Sequence, residues 1–383
     1  MKPSRERGGC WPTAEQELLL QAALLEGQPV IDAWQQWTSR VDIDDVDPGS
    51  YRLLPLVYRN LLGQGVTDPL LDKLKGVYRK TWFENQLLFH RMARVLQALH
   101  GEGIETLVLK GAALVPLYYR DYGLRPMQDF DLLVHPGDLA RTIALLREMG
   151  WHRSESEALP LDLVVPFRHA LSFWKGAADQ FDLHWYALRG RCWAEADDEF
   201  WAGAVAFQLG KVDTLALNPT DELLHTCVHG LAWNPVPPFR WAADAMMVLN
   251  TSGPEIDWSR LVAQARQRRL SLPLTAALDY LARTLHAPAP PEALADLRSR
   301  VVSRFERIEY ETVTRHDGGI VASLSRLLVS YERYAPHESL WHRATYFPRY
   351  LQFNLEAPHL WQLPRQALRR MRSTLMRFEK TAE

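Results

Sequence analysis

The chain has 383 residues, of which 47% are hydrophobic and 23% are charged. These values indicate a globular protein with a substantial core, organised as about two domains, and they argue against disorder. A formal net charge of -2 and a pI near 6.7 exclude a global positive field that would gather nucleic acid or an anionic membrane.

The cysteine content and the first residues of the chain indicate a compartment. Cys10, Cys192 and Cys227 form no C-x-x-C pair and no even-numbered set, so they predict neither a zinc ribbon nor a disulfide framework. The start of the chain lacks the apolar core of a secretory signal, and no stretch reaches the roughly 18 apolar residues of a membrane span. We therefore expect a cytoplasmic protein with no membrane partner.

Residues 1–100 are predicted to form an N-terminal helical region. Thr13 and Gln16 have the spacing of a capping box ahead of an apolar run. Apolar residues then recur on one helical face at Leu88, Met92, Val95, Leu96 and Leu99. These helices are predicted to lead into the first strand of a core domain, residues 101–218.

The core begins where two glycines, Gly101 and Gly103, end the preceding helix. Residues 104–109 then form a predicted strand, which brings Lys110 and Gly111 to the start of a helix over 112–120. Asp121-Tyr122-Gly123 ends that helix with turn residues, and Arg125 follows before the next strand.

A second predicted strand, residues 129–134, carries two acids. Side chains two apart on a strand point to the same face, so Asp129 and Asp131 are expected to share one small volume. Two carboxylates that close repel each other unless a cation lies between them. The pair therefore predicts a site for a hard divalent metal such as Mg²⁺.

A third acid is predicted to arrive on a hairpin over residues 170–188. On its second strand, Asp182 and His184 share one face while apolar neighbours take the other. Asp182 is thus a candidate to complete a metal site with the two earlier acids.

Residues 219–383 are predicted to form a helical C-terminal domain. His225 and His229 lie four apart on its first helix, a spacing that can present two zinc ligands, but no third ligand is evident and a packing or substrate-facing role is favoured. Arg240 and Asp244, also four apart, are interpreted as a surface ion pair, with a substrate-facing role left open.

The last residues of the chain are basic and apolar in alternation. Arg369, Arg370, Arg372 and Arg377 surround Leu368, Met371, Leu375 and Met376. This pattern predicts a basic amphipathic helix, which can contact RNA, a membrane surface or an acidic partner. A solvated helix face is the favoured interpretation.

The order of these motifs resembles the nucleotidyltransferase superfamily typified by DNA polymerase β. More closely it resembles the family of uncharacterised nucleotidyltransferases, with a related pattern in nucleotidyltransferase toxins of abortive-infection systems. The residues that carry the resemblance are Lys110-Gly111-Ala112, Arg125, Asp129-Phe130-Asp131, Asp182-Leu183-His184, the segment around His225 to Gly230, and Arg240 to Asp244. Ala112 replaces the usual second glycine or serine, and 18 positions separate Gly111 from Asp129, more than in the polymerases.

The resemblance implies an α+β core, a small mixed sheet with flanking helices, and a cleft between that core and the C-terminal lobe. It implies transfer of a nucleoside monophosphate from ATP or another NTP, with Asp129, Asp131 and Asp182 holding two Mg²⁺ ions, or Mn²⁺ in their place. The residues expected to contact the nucleotide are Lys110, Gly111, Arg125 and His184.

The acceptor is left open by these motifs. A small molecule, a peptide or a protein hydroxyl or phosphate is favoured. Two alternatives remain: a toxin-like enzyme that modifies RNA, such as a tRNA end, and a catalytically silent module that binds a nucleotide or a peptide.

Overall fold

The computed structural model describes residues 9–153, 159–176, 179–232, 234, 238–299, 302–314, 320–334 and 339–370. Within these ranges the chain combines helices with a seven-stranded mixed sheet, which confirms the predicted α+β class. None of the helices described is both long enough and apolar enough to cross a bilayer. Most of the predicted basic tail, from residue 371 onward, lies outside the described residues.

Helices occupy the described chain ahead of the first strand, as predicted. They are α1 (Ala14–Leu24), α2 (Gln28–Thr38), α3 (Pro48–Tyr51), α4 (Leu54–Gly63) and α5 (Leu71–Gly101). The capping box at the start of α1 is confirmed, because the Thr13 hydroxyl accepts from the Gln16 backbone and the Gln16 side chain accepts from the Thr13 backbone. The predicted apolar face of α5 is buried.

The sheet holds two hairpins that are joined by two adjacent strands between them. Its strands are β1 (Leu107–Leu109), β2 (Asp131–Leu133), β3 (His152–Arg153), β4 (Ala170–Lys175), β5 (Asp179–His184), β6 (Val205–Leu209) and β7 (Val212–Ala216). Their order across the sheet is β3-β4-β5-β2-β1-β7-β6. Strand β2 therefore lies between β1, to which it is antiparallel, and β5, to which it is parallel.

The predicted hairpin formed by β4 and β5 is confirmed, although residues 177 and 178 of its turn lie outside the described ranges. The predicted strand over 129–134 is too long at its start, since β2 begins at Asp131. Asp129 precedes the strand, so side-chain alternation does not set its direction. The β6–β7 hairpin, which places β7 parallel to β1, was not predicted.

Short helices connect the strands of the core. They are α6 (Gly111–Leu114), α7 (Leu139–Glu148), α8 (Leu161–Val164) and α9 (Asp198–Ala202). The predicted helix over 112–120 is instead α6 followed by a π-helical turn, Val115–Tyr119. The wider π-helical turn takes up part of the long separation between Gly111 and Asp129.

The described C-terminal region is helical, as predicted. Its helices are α10 (Pro219–Gly230), α11 (Arg240–Ser252), α12 (Trp258–Gln267), α13 (Ser271–Thr284), α14 (Pro291–Ser299), α15 (Arg304–Thr314), α16 (Ile320–Tyr334) and α17 (Leu340–Asn354). Pro219 at the first turn of α10 and an Asn218 side chain that accepts from the Asp221 backbone define the start of that helix.

Two large apolar clusters hold these elements together. One lies on the sheet and includes Phe130 and Phe181, whose rings stack at 4.8 Å. The other joins the N-terminal helices to the C-terminal ones, and it contains both Trp34 of α2 and Leu223 of α10. The N-terminal helices therefore share a core with the C-terminal domain, while the predicted boundaries at residues 100 and 218 stay a prediction.

A buried ion pair ties the core to the C-terminal domain. The Arg125 guanidinium donates from Nε to Asp244 Oδ1 at 2.7 Å and from Nη2 to Asp244 Oδ2 at 2.9 Å. Tyr119 donates to the same Oδ1 at 2.7 Å. The predicted surface pair of Arg240 with Asp244 is therefore wrong, because Asp244 faces inward to Arg125 and Arg240 donates to the Pro126 carbonyl.

Glu222 of α10 lies beside this ion pair and is fully buried. One of its carboxylate oxygens accepts from Thr226, and the other has no partner among the described residues. Burial, reinforced by the charge of Asp244, raises the pKa of Glu222 to about 8 although Thr226 and Arg125 act against it. The carboxyl is therefore protonated in the folded protein near neutral pH.

We expect Asp244→Asn to lower the free energy of unfolding by about 3 to 5 kcal/mol, because it leaves the buried Arg125 charge without its partner. Urea denaturation checks this value. The control is Asp279→Asn, which removes the partner of the more exposed Arg298 and should cost less than about 1 kcal/mol. Equal losses in the two variants would contradict a structural function for the buried pair.

We expect Glu222→Gln to gain stability relative to the parent as the pH rises. A raised folded pKa contributes stability that is complete below the ordinary value of 4.5 and is lost as the pH passes about 8. Between pH 4.5 and pH 8.5 the difference in unfolding free energy should therefore move by about 3 to 5 kcal/mol in favour of the variant. Exposed Glu148→Gln is the control, and a pH-independent difference would contradict the assignment.

Candidate active site

The register of three adjacent strands brings the predicted acids together. Asp131, the first residue of β2, lies opposite Leu109 at the end of β1 and beside Asp182 on β5. Lys110 follows Leu109 directly, so its side chain starts at the same edge of the sheet. Residues that are far apart in sequence thus meet because β2 pairs with both neighbours at the same residue.

Lys110 neutralises the central acid. Its Nζ lies 2.6 Å from Asp131 Oδ1, and the side chain is largely buried. Its backbone has a φ of 51°, a conformation that is unfavourable for a residue with a Cβ and costs of order 1 to 3 kcal/mol. A strained lysine at this position indicates a function that outweighs its cost in stability.

His184 is the second partner of the same carboxylate oxygen. Its Nε2 lies 3.0 Å from Asp131 Oδ1, and its buried Nδ1 has no partner in the described part of the chain. Because a carboxylate only accepts, Nε2 carries the proton in this pair. Burial acts to raise the pKa of Asp131, but the Lys110 charge and the His184 hydrogen bond hold it below its ordinary value. Asp131 is therefore an anion.

The ligating atoms of Asp131, Asp182 and His184 all lie within 4.8 Å of one another. Ser172, opposite Asp182 on β4, donates to Asp182 Oδ1 at 2.6 Å and so orients that carboxylate. Two carboxylates and one imidazole on a rigid sheet fit a divalent metal ion. The donor set itself leaves the identity of that ion open.

Asp129 is set apart from this group, although it was predicted as a metal ligand. It is half-buried ahead of β2 and lies outside the set of three ligating residues. Burial raises its pKa, and the charges of Asp131 and Asp182 raise it further. The three acids thus interact electrostatically, while its role as a ligand stays a prediction.

Gly111 and Arg125 lie in contact. A Cβ on Gly111 would lie 2.1 Å from Nη1 of Arg125, so glycine is required for the guanidinium to reach Asp244. The Nε and Nη2 groups of that guanidinium already donate to Asp244. The predicted contacts of Gly111 and Arg125 with a nucleotide stay predictions.

The two histidines of α10 border the same volume. His225 is buried and its Nε2 lies 3.3 Å from the Ala187 carbonyl, while His229 is exposed. Burial lowers the pKa of His225 to about 3, and the Lys110 charge adds to that effect. Among the described residues the pair belongs to no group of three ligating side chains. The His225 ring therefore stays neutral beside the acids and Lys110.

The sequence analysis missed Ser172. The signal for it was present in the predicted hairpin, because the register that places Phe173 opposite Phe181 also places Ser172 opposite Asp182. The positions of Lys110 and His184 on a single oxygen of Asp131 could not be read from the sequence. They depend on strand pairing that brings residues 21 and 53 positions away in the sequence to Asp131.

Comparison with known proteins gives one family. The model of a family described as uncharacterised nucleotidyltransferase matches residues 50–286, which include every residue of the site described above. No curated protein matches the chain.

We expect Lys110→Met to bind Mn²⁺ more tightly than the parent, by a factor on the order of ten, because the ammonium no longer competes for Asp131. Titration calorimetry with Mn²⁺ alone measures this. Exposed Lys175→Met, which loses a hydrogen bond to the Met149 carbonyl, is the control and should match the parent. An unchanged or weaker Mn²⁺ affinity in Lys110→Met would show that the lysine does not occupy a metal position.

Proposed function

Because the chain belongs to the family of uncharacterised nucleotidyltransferases, we propose that it moves a nucleoside monophosphate group from an NTP to an acceptor, with release of pyrophosphate. The observation that carries this proposal is the strand register. It places Asp131 beside Asp182 of β5 and opposite Leu109 of β1, the residue that precedes Lys110. Acids on adjacent strands next to a lysine at a helix start suit the transfer of a phosphoryl-linked group.

Asp131 and Asp182, with Asp129 as the third acid, would hold the divalent ions. Two such ions, Mg²⁺ or Mn²⁺, when bound supply charge neutralisation of the triphosphate and lower the pKa of an attacking hydroxyl. Asp182 has one oxygen held by Ser172 and one that receives no hydrogen bond from the described residues. We assign that free oxygen to the acceptor, whose proton it takes or passes to water.

Lys110 and the α6 start would hold the phosphates. Lys110, which donates to Asp131 here, would pair with a phosphate oxygen when Asp131 holds a divalent ion. The backbone amides of Gly111 and Ala112 lie at the start of α6, where they can donate to the same group. His184 keeps Asp131 in its orientation by donating from Nε2.

The acceptor is proposed to be a small molecule, a peptide or a protein hydroxyl or phosphate. The charge balance supports this choice over RNA, since the chain carries a net charge of -2. Two experiments distinguish the alternative functions. Incorporation of label into RNA would favour a toxin-like enzyme that modifies RNA. Mn²⁺-dependent nucleotide binding without turnover would favour a catalytically silent binding module.

We expect transfer of label from one or more α-labelled NTPs, with Mg²⁺ or Mn²⁺, to a peptide, small-molecule or RNA acceptor. Asp131→Asn and Asp182→Asn should reduce the rate by a factor of about 10³, because the loss of a metal-binding carboxylate removes several kcal/mol of transition-state stabilisation. Asp129→Asn tests the third acid in the same assay.

The control is Asp213→Asn, on the exposed face of β7, which should keep the parental rate. If Asp131→Asn and Asp182→Asn bound metal and NTP as tightly as the parent does, the site would be misplaced. If no acceptor were labelled although the parent binds NTP with Mn²⁺, the transfer reaction itself would be refuted.

A further inference from the structure

Two guanidinium groups flank the loop that leads into β2. Arg240, the first residue of α11, donates from Nη1 to the Pro126 carbonyl at 2.7 Å. Arg52, which follows α3, donates from Nη2 to Gln128 Oε1 at 2.9 Å. Residues from both helical regions thus attach to Pro126 and Gln128, just ahead of Asp129.

These two arginines differ from the other cations of the site because they lack an acidic partner. Lys110 is paired with Asp131, and Arg125 is paired with Asp244. In the part of the chain that the structure describes, neither Arg52 nor Arg240 lies within 4.0 Å of a carboxylate. The positive charge beside this loop therefore exceeds the negative charge that the protein supplies to it.

The crowding of these cations has an energetic cost. Burial together with the like charges of Arg125 and Arg52 lowers the pKa of Arg240 to about 10, although Asp244 acts in the opposite direction. The like charges of Arg125 and Arg52 are unfavourable for Arg240 unless an anion joins them. Such an arrangement is typical of a site that binds a charged ligand.

Both arginines attach to the loop that ends at Asp129, two residues ahead of Asp131. An NTP whose α-phosphate lies at Asp131 and Asp182 must extend its β- and γ-phosphates away from these carboxylates. The loop from Pro126 to Asp129 leads from the acids to the two unpaired arginines.

We propose that Arg52 and Arg240 bind the β- and γ-phosphates of the NTP and hold the pyrophosphate as it leaves. The inference rests on the proposed function and names the part of the substrate that these residues recognise. Arg240 is anchored to Pro126 through Nη1, so its Nε and Nη2 remain to donate to phosphate oxygens. This fork geometry suits bidentate contact with phosphate.

The test is the binding of inorganic tripolyphosphate and of AMP to the full chain with Mn²⁺, measured by titration calorimetry. In Arg240→Gln the affinity for tripolyphosphate should fall by about 10- to 100-fold, the range for hydrogen bonds to charged groups. In Arg52→Gln the loss should be about 3- to 10-fold, since Arg52 is more accessible to water. AMP, which lacks these phosphates, should bind each variant within about twofold of the parent.

Arg147→Gln is the matched control, since Arg147 is exposed on α7 away from the loop. Arg240→Lys keeps the charge without the fork and should give an intermediate affinity, and thermal denaturation verifies that each variant is folded. Unchanged tripolyphosphate affinity in both Arg52→Gln and Arg240→Gln overturns the proposal. A loss for AMP as large as that for tripolyphosphate also overturns it, because it indicates a site for a single phosphate, such as one on the acceptor.

These measurements record binding and not turnover. Failure of the transfer reaction would leave the difference between tripolyphosphate and AMP unchanged. The proposed function and the inference about Arg52 and Arg240 can therefore fail separately.

Discussion

The site depends on the backbone pairing of β2 with two neighbours at once. Asp131 is in register with the end of β1 on one side and with Asp182 on the other. Hydrogen bonds of the sheet, and not of the side chains, therefore bring the acids and Lys110 together. The aromatic pair Phe130 and Phe181, stacked beneath the same strands, makes a shift in that register costly.

Charge balance explains the rest of the arrangement. A buried Asp131 is unfavourable as an anion, and one lysine and one histidine on a single oxygen compensate for it. The buried charges of Arg125 and Asp244 likewise compensate each other between the core and the C-terminal domain. These pairings compensate the buried charges within the protein itself.

Around that neutral centre the protein keeps charges that it does not pair. Asp182 has an oxygen without a donor among the described residues, and Arg52 and Arg240 have no acidic partner there. The unpaired acid, Asp182, lies beside Asp131 in the sheet, whereas the two arginines attach to the loop ahead of Asp129. This separation matches a substrate whose reacting end needs a base and whose other end carries several negative charges.

The sequence by itself determined the fold class, the family and the candidate acids Asp131 and Asp182, because short-range patterns encode them. Lysine-glycine after an apolar run, two acids two apart and an acid on a hairpin are all local signals. Tertiary structure decided the partners: Asp244 pairs with Arg125 and not with Arg240, and Asp129 lies outside β2. Such contacts join residues more than 100 positions apart, and only strand register and helix packing bring them within hydrogen-bonding distance.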